Sequence, residues 1–476
     1  MSVTTYHFIG IGGIGMSGLA ELLLRRGFSV SGSDAAENAL TRRLQALGAT
    51  VYLGHDAAHL GDAQVVVHST AIKEHNPELA AARSRGLTVL GRGELLARLM
   101  HGHFQIAVTG AHGKTSTTAM AAAILRAGGL DPTVVVGALW DNLGSNAVLG
   151  RGQYFVAEAD ESDASFLHLT PQVAVITNID REHLDFYRDL DHIKETFAAF
   201  LDQLDPEALV VAWGDDPHLK PLLAGRPQRL LTYSLTPGAA DFWADNLECR
   251  GLGTSFAVFF QGREMGVINL PLAGSHYVLN SLAACAAARA AGLEFDPCKA
   301  GLEALGRIHR RLEVKGEAQS VTVIDDYGHH PREIHHTIEA LAQAFPERRL
   351  VVAFQPHRFS RTRALLPEFF PVFAAAHAVF ITEIYSAGEP ALAGISGRAL
   401  WEGIVGQGHP GAHFVANKDK LAGELMARLC PGDVVLTLGA GDIWKVGEEL
   451  LEMLSASEPD RQGLTPGGKE WRCARV

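Results

Sequence analysis

The sequence predicts an α/β protein built from three domains, and three observations lead to this prediction. The chain has 476 residues, and at about 100–200 residues per domain that length corresponds to about three. Short apolar runs rich in β-branched residues alternate with Ala- and Leu-rich helical segments along the whole chain, which is typical of parallel sheets covered by helices. Two of these runs lead into glycine-rich turns, around Gly10 and Gly110, and each turn opens a strand–loop–helix unit.

The predicted elements fall into three groups. In order, the apolar strands are expected over 6–11, 28–32, 64–68, 104–109, 173–177, 321–324, 350–354, 378–382 and 434–438. The segment 241–269 predicts antiparallel strands, and a helix is expected to begin near Ser275. Changes of pattern near 101–104 and near Glu313 predict domains over 1–103, 104–312 and 313–455. A polar tail over 456–476 is expected to be mobile.

Composition and charge exclude several classes of protein. Lys and Arg number 41 against 53 Asp and Glu, a formal net charge of −12, whereas proteins that bind nucleic acid carry a basic surface. No apolar stretch approaches the roughly 20 residues of a membrane-spanning helix, so we expect no membrane partner. The five cysteines include no C-x-x-C pair. This argues against a disulfide scaffold or a structural zinc site and is typical of a reducing cytoplasm.

The first glycine-rich turn, Gly10-Ile11-Gly12-Gly13-Ile14-Gly15, has the pattern G-x-G-x-x-G between a strand and a helix. Its glycines allow a tight turn, and the amide groups at the helix N-terminus favour a diphosphate. Asp34 ends the next strand, where an acid can accept a hydrogen bond from a ribose hydroxyl. The pattern predicts a bound nucleotide but not which one. An NAD-dependent oxidoreductase and a purely structural turn therefore remain alternatives.

The second glycine-rich turn predicts a phosphate loop. It departs from G-x-x-x-x-G-K-[ST] at its first position, where Val108 replaces glycine. Backbone amides can still surround phosphates, the Lys114 ammonium can contact the β- and γ-phosphates, and the Thr115 hydroxyl can ligate Mg²⁺. We therefore predict that ATP binds to Gly110, Ala111, His112, Gly113, Lys114, Thr115 and Ser116. A dehydrogenase has no need of this second nucleotide site.

Acidic residues and a histidine follow later strands of the central group. Four acids lie within 158–163, and their mutual repulsion predicts a cation among them. Mg²⁺ held by a carboxylate and phosphate oxygens is the expected choice, and a solvated acidic loop is the alternative. His183 follows the strand over 173–177, at the sheet edge where α/β active sites assemble. We expect it to share a site with the phosphate loop.

These motifs, in this order, resemble the Mur ligases of bacterial cell-wall synthesis, and the motifs are most similar to the branch that adds L-alanine. The resemblance covers the chain from His7 to about Glu448 and rests on segments 7–18, 110–118, 158–166, 178–183, 274–280, 310–313, 325–331 and 354–362. It implies an N-terminal Rossmann-like domain for the UDP-sugar and a central P-loop-type ATP-binding α/β domain. A C-terminal Rossmann-like domain would take the amino acid.

The resemblance also implies roles for individual residues. The UDP-sugar would contact Gly12, Gly13, Ile14, Gly15, Asp34, Ser69, Thr70 and Arg92. Asn280 and Asp326 would contact the nucleoside of ATP. Thr115 and Glu158 would ligate one Mg²⁺, and Glu158 and His183 a second. The amino-acid side would be lined by His329, His330, His357, Arg358 and Arg361. The catalytic residues would be Lys114, Glu158, His183 and Arg311.

The implied reaction joins L-alanine to UDP-N-acetylmuramate at the expense of ATP, in a monomer or a homodimer. The lactyl carboxylate would attack the γ-phosphate, and the amine of L-alanine would then attack the acyl phosphate. Local alternatives remain: Arg310 and Arg311 can be an exposed charged pair, and His329 and His330 can merely cap a helix.

Two departures from the family pattern bear on the branch. Several Mur ligases carry a carbamylated lysine after the histidine that corresponds to His183, whereas the nearest lysine here, Lys194, is out of place. The alanine-adding branch also lacks that lysine. Tyr277 stands where asparagine is usual, which leaves Asn280 in place. A ligase that recycles a tripeptide, a folate-type polyglutamate ligase and a catalytically silent nucleotide sensor are the remaining alternatives.

Overall fold

A computed structural model describes residues 4–456, and it contains three sheets that follow one another along the chain. Ala456 ends the last helix, and the rest of the tail expected to be mobile, 457–476, lies outside the described residues. Across 4–456, no helix has both the length and the apolar character needed to cross a membrane.

The first sheet has five parallel strands in the order β3-β2-β1-β4-β5. They are β1 (Thr5–Ile9), β2 (Ser29–Asp34), β3 (Thr50–Leu53), β4 (Val65–His68) and β5 (Thr88–Gly91). The helices are α1 (Ile14–Arg25), α2 (Ala39–Ala46), α3 (Pro77–Ser84) and α4 (Arg92–Met100). Because the chain order reverses between β1 and β4, a crevice opens beyond their carboxyl ends, where such sheets bind ligands. The first strand ends at Ile9, short of the prediction, because Gly10 turns with φ of +82°.

The second sheet has ten strands in the order β15-β14-β13-β12-β11-β10-β6-β9-β7-β8. They are β6 (Phe104–Thr109), β7 (Thr133–Trp140), β8 (Ser145–Val148), β9 (Tyr154–Glu158), β10 (Val173–Ile176), β11 (Leu209–Trp213), β12 (Arg229–Ser234), β13 (Phe242–Arg250), β14 (Gly253–Phe260) and β15 (Arg263–Leu270). Antiparallel pairing of β13, β14 and β15 confirms the prediction for 241–269.

The helices of this second unit are α5 (Lys114–Ala127), α6 (Leu190–Asp202), α7 (Leu219–Leu223), α8 (Ser275–Ala290) and α9 (Phe295–Glu303). Helix α5 is buried along most of its length, with the alanine-rich α8 beside it. A Cβ atom on Gly301 of α9 would lie 2.7 Å from the Ile124 Cα. Small residues thus let α8 and α9 pack closely against α5.

The third sheet has six strands in the order β16-β17-β21-β18-β19-β20, parallel except for β16. They are β16 (Glu313–Ala318), β17 (Val321–Asp326), β18 (Leu350–Phe354), β19 (Ala378–Ile381), β20 (Ala412–Phe414) and β21 (Val434–Leu438). The helices are α10 (Pro331–Ala344), α11 (Phe359–Phe369), α12 (Gly397–Gly406), α13 (Leu421–Met426) and α14 (Trp444–Ala456). Strand β16 escapes prediction because it is a charged edge strand, without the apolar run that marks the buried β18 and β21.

Candidate functional site

The first glycine-rich turn lies in the crevice of the first sheet. Gly12 donates its backbone N–H to Asp34 Oδ2 over 2.8 Å, so the acid at the end of β2 holds the turn in shape. A Cβ atom on Gly12 would lie 2.9 Å from that oxygen and 2.7 Å from Asn38 Nδ2. The predicted residues Gly13 and Ile14 are the N-cap and first residue of α1. The turn therefore requires glycine and presents a helix N-terminus, as a diphosphate site needs.

Arg92 crosses from this turn to the central unit. A Cβ atom on Gly15 would lie 3.0 Å from Arg92 Cδ, and Arg92 Nη2 donates to Asp160 Oδ2 over 2.8 Å. Ser69 lies beside the turn, its Cβ 3.6 Å from the Cβ position of Gly10. Thr70, which is also predicted to contact the UDP-sugar, has an exposed side chain next to Ser69. The predicted UDP-sugar residues thus gather at one edge of the sheet, next to the acidic cluster.

The phosphate loop connects β6 to α5 and packs against the end of β10. Gly110 has φ of +120° and Gly113 of +84°, so both adopt backbone conformations that favour glycine. Ala111 donates its N–H to Asn178 O over 3.1 Å. A Cβ atom on Gly113 would lie 2.5 Å from Asn280 Oδ1, so Asn280 lies directly beside the loop.

Lys114 opens α5 and points back over the loop. Its Nζ donates to Gly110 O over 2.7 Å, to Ala111 O over 3.2 Å and to Glu161 Oε1 over 2.8 Å. Burial alone would lower the pKa of Lys114, but the charges of Glu161, Asp160 and Glu158 outweigh burial and raise it. The ammonium therefore stays charged, and an arriving phosphate would compete with Glu161 for it. Ser116, two residues further on, is buried and lies near Tyr277.

Glu158 ends β9 beside Thr115 and Arg311. Its Oε2 accepts the Gly137 N–H over 2.8 Å, and Arg311 Nη2 donates to Thr115 Oγ1 over 3.4 Å. Burial raises the pKa of Glu158, although Lys114, Thr115 and Arg311 oppose the shift. A carboxylate next to a threonine hydroxyl is an oxygen donor set that suits Mg²⁺.

His183 has a left-handed backbone, with φ of +54°, which directs the chain sharply after β10. Its Nε2 lies 3.2 Å from Glu161 Oε1 and 3.7 Å from Glu182 Oε2. Burial would lower the pKa of His183, but the hydrogen bond to Glu161 and the charges of Glu161 and Glu182 raise it. In this structure Glu161 therefore links His183 to Lys114, and a metal shared by His183 and Glu158 stays a prediction.

Arg310 and Arg311 lie just before the first strand of the third sheet, and they are half-buried rather than an exposed pair. Arg310 Nε donates to Asp325 Oδ2 over 3.0 Å, while the Arg311 guanidinium lies 5.3 Å from the centre of the Tyr327 ring. Asp326 accepts backbone N–H groups from Leu312 and Gly328 over 2.8 and 2.7 Å. Burial raises the pKa of Asp326 to about 6, against the lowering effect of Arg311.

The loop before α10 brings two predicted histidines to the central unit. His330 is the N-cap of α10, and its Nδ1 accepts the Arg332 N–H over 3.3 Å, so the helix-capping alternative holds for this side chain. Burial lowers the pKa of His330 to about 4. His329 Nε2 lies 3.8 Å from Glu182 Oε2 of the central unit. The loop thus lies against the segment that carries His183.

The start of α11 and the residues just before it provide further contacts between the second and third units. Arg361 binds Glu182 through two hydrogen bonds, of 3.0 Å from Nε to Oε1 and 3.1 Å from Nη2 to Oε2. Arg361 Nη1 lies 3.0 Å from His357 Nδ1, and Arg358 Nη1 donates to Asp185 Oδ2 over 2.5 Å. All five predicted amino-acid-side residues therefore lie near the segment 180–185 or near each other.

Family models match the three units in turn. The Mur ligase family catalytic domain matches residues 5–104, the Mur ligase middle domain 108–288 and the Mur ligase glutamate ligase domain 310–441. The chain belongs to the Mur ligase family. The resemblance seen in the motifs is thereby confirmed, and so is the fold class of three α/β units.

Individual members of the family match over nearly the full length. The chain is 48% identical to the UDP-N-acetylmuramate–L-alanine ligase of Syntrophobacter fumaroxidans over 95% of this chain and 96% of that one. The crystal structure of UDP-N-acetylmuramate-alanine ligase MurC from Thermotoga maritima has a TM-score of 0.81 at 29% identity, covering 95% and 100% of the two chains. A murein peptide ligase from Psychrobacter arcticus has a TM-score of 0.72 at 25% identity, covering 95% and 99%.

Sequence reasoning missed the acidic partners that connect this Mur ligase's site. Glu161 belongs to the acidic cluster at 158–163 for which a cation is predicted, but its contacts with Lys114 and His183 are not predicted. Asp180, Glu182 and Glu333 have no predicted role. The only local signal for Glu333 is its place three residues after His330, the spacing of a capping box. Their partners are remote along the chain, so no local pattern could reveal the pairings.

One group among residues 4–456 has metal-ligand spacing: His112, Asp180 and His330 offer atoms within 4.8 Å of one another. Cationic groups already face its carboxylate. Arg332 Nε lies 3.3 Å from Asp180 Oδ2. Burial would lower the pKa of His112, yet hydrogen bonds to Asp180 and Glu333 raise it to about 10. A metal would have to displace that proton, so Thr115, Glu158 and His183 remain the predicted Mg²⁺ ligands.

Proposed function

We propose that this Mur ligase joins L-alanine to the lactyl carboxylate of UDP-N-acetylmuramate in peptidoglycan precursor synthesis. ATP would activate the carboxylate as an acyl phosphate, the amine of L-alanine would displace phosphate, and ADP would be the other product. The observation that carries the proposal is the 48% identity to a UDP-N-acetylmuramate–L-alanine ligase across 95% of the chain, together with a phosphate loop whose Lys114 lies near Glu158, as does Arg311.

The charged residues fit the first step. A carboxylate and a triphosphate repel each other, so their approach needs positive charge held in place in advance. Lys114 stays protonated, and Arg311 lies within hydrogen-bonding distance of Thr115 at the start of α5. Mg²⁺ bound to Thr115 and Glu158 would supply further charge stabilisation at the transferred phosphoryl group. Lys114 must first release Glu161, which then remains near His183.

We also propose the division of labour among the units. Residues 1–103 would hold the UDP-sugar through the turn at Gly12, 104–312 would hold ATP, and 313–455 would present L-alanine. Arg358 and Arg361 offer guanidinium groups of the kind that bind a carboxylate. They are paired with Asp185 and Glu182 here, so binding would exchange one carboxylate partner for another. We propose a cytoplasmic enzyme, active as a monomer or a homodimer.

The test is phosphate release from ATP and UDP-N-acetylmuramate with L-alanine, glycine, L-serine or the tripeptide as acceptor. We expect L-alanine to be the preferred acceptor. Lys114→Met should lower kcat/KM by about 10²-fold or more, the scale of losing one donor that stabilises transition-state charge. The matched control is Lys194→Met, at a partly exposed lysine on α6 that pairs with Asp191. Normal turnover by Lys114→Met would contradict the proposal.

The same assay separates the alternatives. A ligase that recycles the tripeptide, suggested by the weaker likeness to the murein peptide ligase, would prefer the tripeptide over L-alanine. A silent sensor would bind ATP without releasing phosphate with any acceptor. An NAD-dependent oxidoreductase is disfavoured, because the G-x-G-x-x-G turn belongs to the first of three Mur ligase domains.

A further inference from the structure

His112 occupies the phosphate loop but directs its side chain toward the third unit. Its backbone is held in the loop, with the N–H donating to Asn178 Oδ1 over 2.9 Å and the carbonyl accepting from Thr177 Oγ1 over 2.6 Å. Its imidazole leaves the loop and lies between two carboxylates. Nε2 is 2.9 Å from Asp180 Oδ2, and Nδ1 is 3.2 Å from Glu333 Oε1.

Glu333 carries this contact to the amino-acid side. While Oε1 faces His112, Oε2 accepts the backbone N–H groups of His329 and His330 over 3.0 and 3.3 Å. The carboxylate therefore holds the loop that lines the amino-acid side. Glu333 is thus the single residue between the His112 side chain and the loop of His329 and His330, although Glu333 and His112 are 221 positions apart.

The charges around His112 favour a bond that is both strong and specific. The His112, Asp180 and Glu333 side chains are only 15%, 9% and 16% exposed. Both ring nitrogens face carboxylates, so the imidazole is a donor on both sides, and charge-assisted hydrogen bonds are the strong ones. The neighbouring cations and histidines that also face this cluster are His329, whose Nδ1 lies 3.4 Å from Glu333 Oε2, and Arg332, His330, His336 and Arg311.

We propose that His112 is a positioning residue that couples the phosphate loop to the loop presenting the amino acid, through Glu333. When phosphates order the loop, the imidazole is held where Glu333 can reach it, and Glu333 then holds the backbone of His329 and His330 in place. The loop of His329 and His330 is therefore fully positioned only when the phosphate loop is also in position. The inference rests on the proposed ligase function.

Two amide substitutions separate the two bonds of the imidazole. The amide of His112→Asn falls near the position of Nδ1 and can still reach Glu333, whereas that of His112→Gln falls near Nε2 and can reach only Asp180. Glu333→Gln weakens the same bond from the other side. The matched control is His335→Gln, because His335 on the same helix pairs with Glu339 at 3.3 Å while both are 48% exposed.

The measurements are kcat and KM for L-alanine and for ATP in the phosphate-release assay, with melting temperature as the check on folding. We expect His112→Gln to raise the KM for L-alanine by about 10-fold, the scale of one charge-assisted hydrogen bond, and to change the KM for ATP by less than about 3-fold. His112→Asn should keep the KM for L-alanine much closer to the wild-type value. The double variant that combines His112→Gln with Glu333→Gln should have a KM for L-alanine no higher than that of either single variant, because both substitutions remove the same bond.

Equal KM values for L-alanine in the wild type and His112→Gln, or identical behaviour of the Asn and Gln variants, would overturn the proposal. An equal rise in both KM values would also overturn it, since it would indicate a disturbed phosphate loop only. Should His112→Gln fail to fold, Glu333→Gln and its double variant with His112→Asn decide the matter. If the wild type itself releases no phosphate, the proposed function fails instead. In that case small-angle scattering with Mg²⁺ and a non-hydrolysable ATP analogue tests the link from His112 to Glu333 directly. If the wild type and His112→Gln become more compact by the same amount, the link is refuted.

Discussion

Glu158 can be displaced without altering any side chain that takes part in the chemistry, by the change Gly137→Ala. Strand β7 runs parallel to β9, with Val135 opposite Ala157, and this register places Gly137 against the Glu158 carboxylate. A Cβ atom at Gly137 would lie 2.5 Å from Glu158 Oε2 and 2.7 Å from Oε1. The carboxylate must therefore move, and it also loses its 2.8 Å hydrogen bond from the Gly137 N–H.

The size of the effect follows from these distances. Carbon and oxygen atoms in ordinary contact are no closer than about 3.4 Å, so the carboxylate must shift by about 0.9 Å. A misplacement of about 1 Å can cost about 10²-fold in rate. We expect kcat to fall by about that factor and half-saturation by Mg²⁺ to move to higher concentration. The KM for UDP-N-acetylmuramate should stay near the wild-type value, because its site is built on the first sheet.

The assay is phosphate release as a function of Mg²⁺ concentration, with melting temperature measured in parallel. The matched control is Gly423→Ala in α13, where an added Cβ meets nothing within 4 Å and a helical Gly→Ala change is neutral or slightly stabilising. If Gly137→Ala keeps wild-type kcat and Mg²⁺ dependence while Glu158→Ala loses activity, the placement of Glu158 as a metal ligand through this strand contact is wrong.

Three further changes test other parts of the molecule. Gly12→Ala forces a Cβ to 2.9 Å from Asp34 Oδ2 and should raise the KM for UDP-N-acetylmuramate by about 10-fold or more, leaving the KM for ATP unchanged; equal effects on both would contradict a separate UDP-sugar site. Burial would raise the pKa of Glu78, but hydrogen bonds from surrounding histidine and serine side chains lower it to about 2. The lowered pKa means that the ionised Glu78 stabilises the fold above about pH 4.5, and this stabilisation is lost as the pH falls toward 2. Glu78→Gln should therefore lower the free energy of unfolding, measured in urea, by about 2–3 kcal/mol at pH 7. Near pH 2 the same substitution should lower it by much less. Arg361→Lys replaces a two-bond contact to Glu182 with a single charge and should raise the KM for L-alanine by about 10-fold with a smaller change in kcat; an unaltered KM would remove Arg361 from the amino-acid side.

The strand–loop–helix units could be predicted because their signals are local. Strands at Phe104–Thr109, Leu350–Phe354 and Val434–Leu438 are mostly apolar and match the prediction at both ends, since strands buried on both faces need such runs. Prediction fails where the residues of a strand lack the apolar pattern by which strands are recognised. Strand β16 is charged and lies at a sheet edge, so its composition resembles that of a loop.

The candidate site divides in the same way. The turns at Gly12, Gly110 and Gly113 and the helix start at Lys114 could be predicted from sequence, because a tight turn constrains neighbouring residues. Which acids meet which cations could not. The quoted cluster at 158–163 did not indicate that Glu161, rather than Glu158, would lie against both Lys114 and His183.

The sequence by itself therefore determined the three units, their two glycine-rich turns and the family to which they belong. The tertiary structure decided the contacts between units, such as Arg361 with Glu182 across 179 positions and His112 with Glu333 across 221. Backbone conformation depends on a few neighbouring residues, and glycine or apolar patterns record it. Pairing of distant charges depends on how whole sheets and helices pack against each other, and no short stretch of sequence contains that packing.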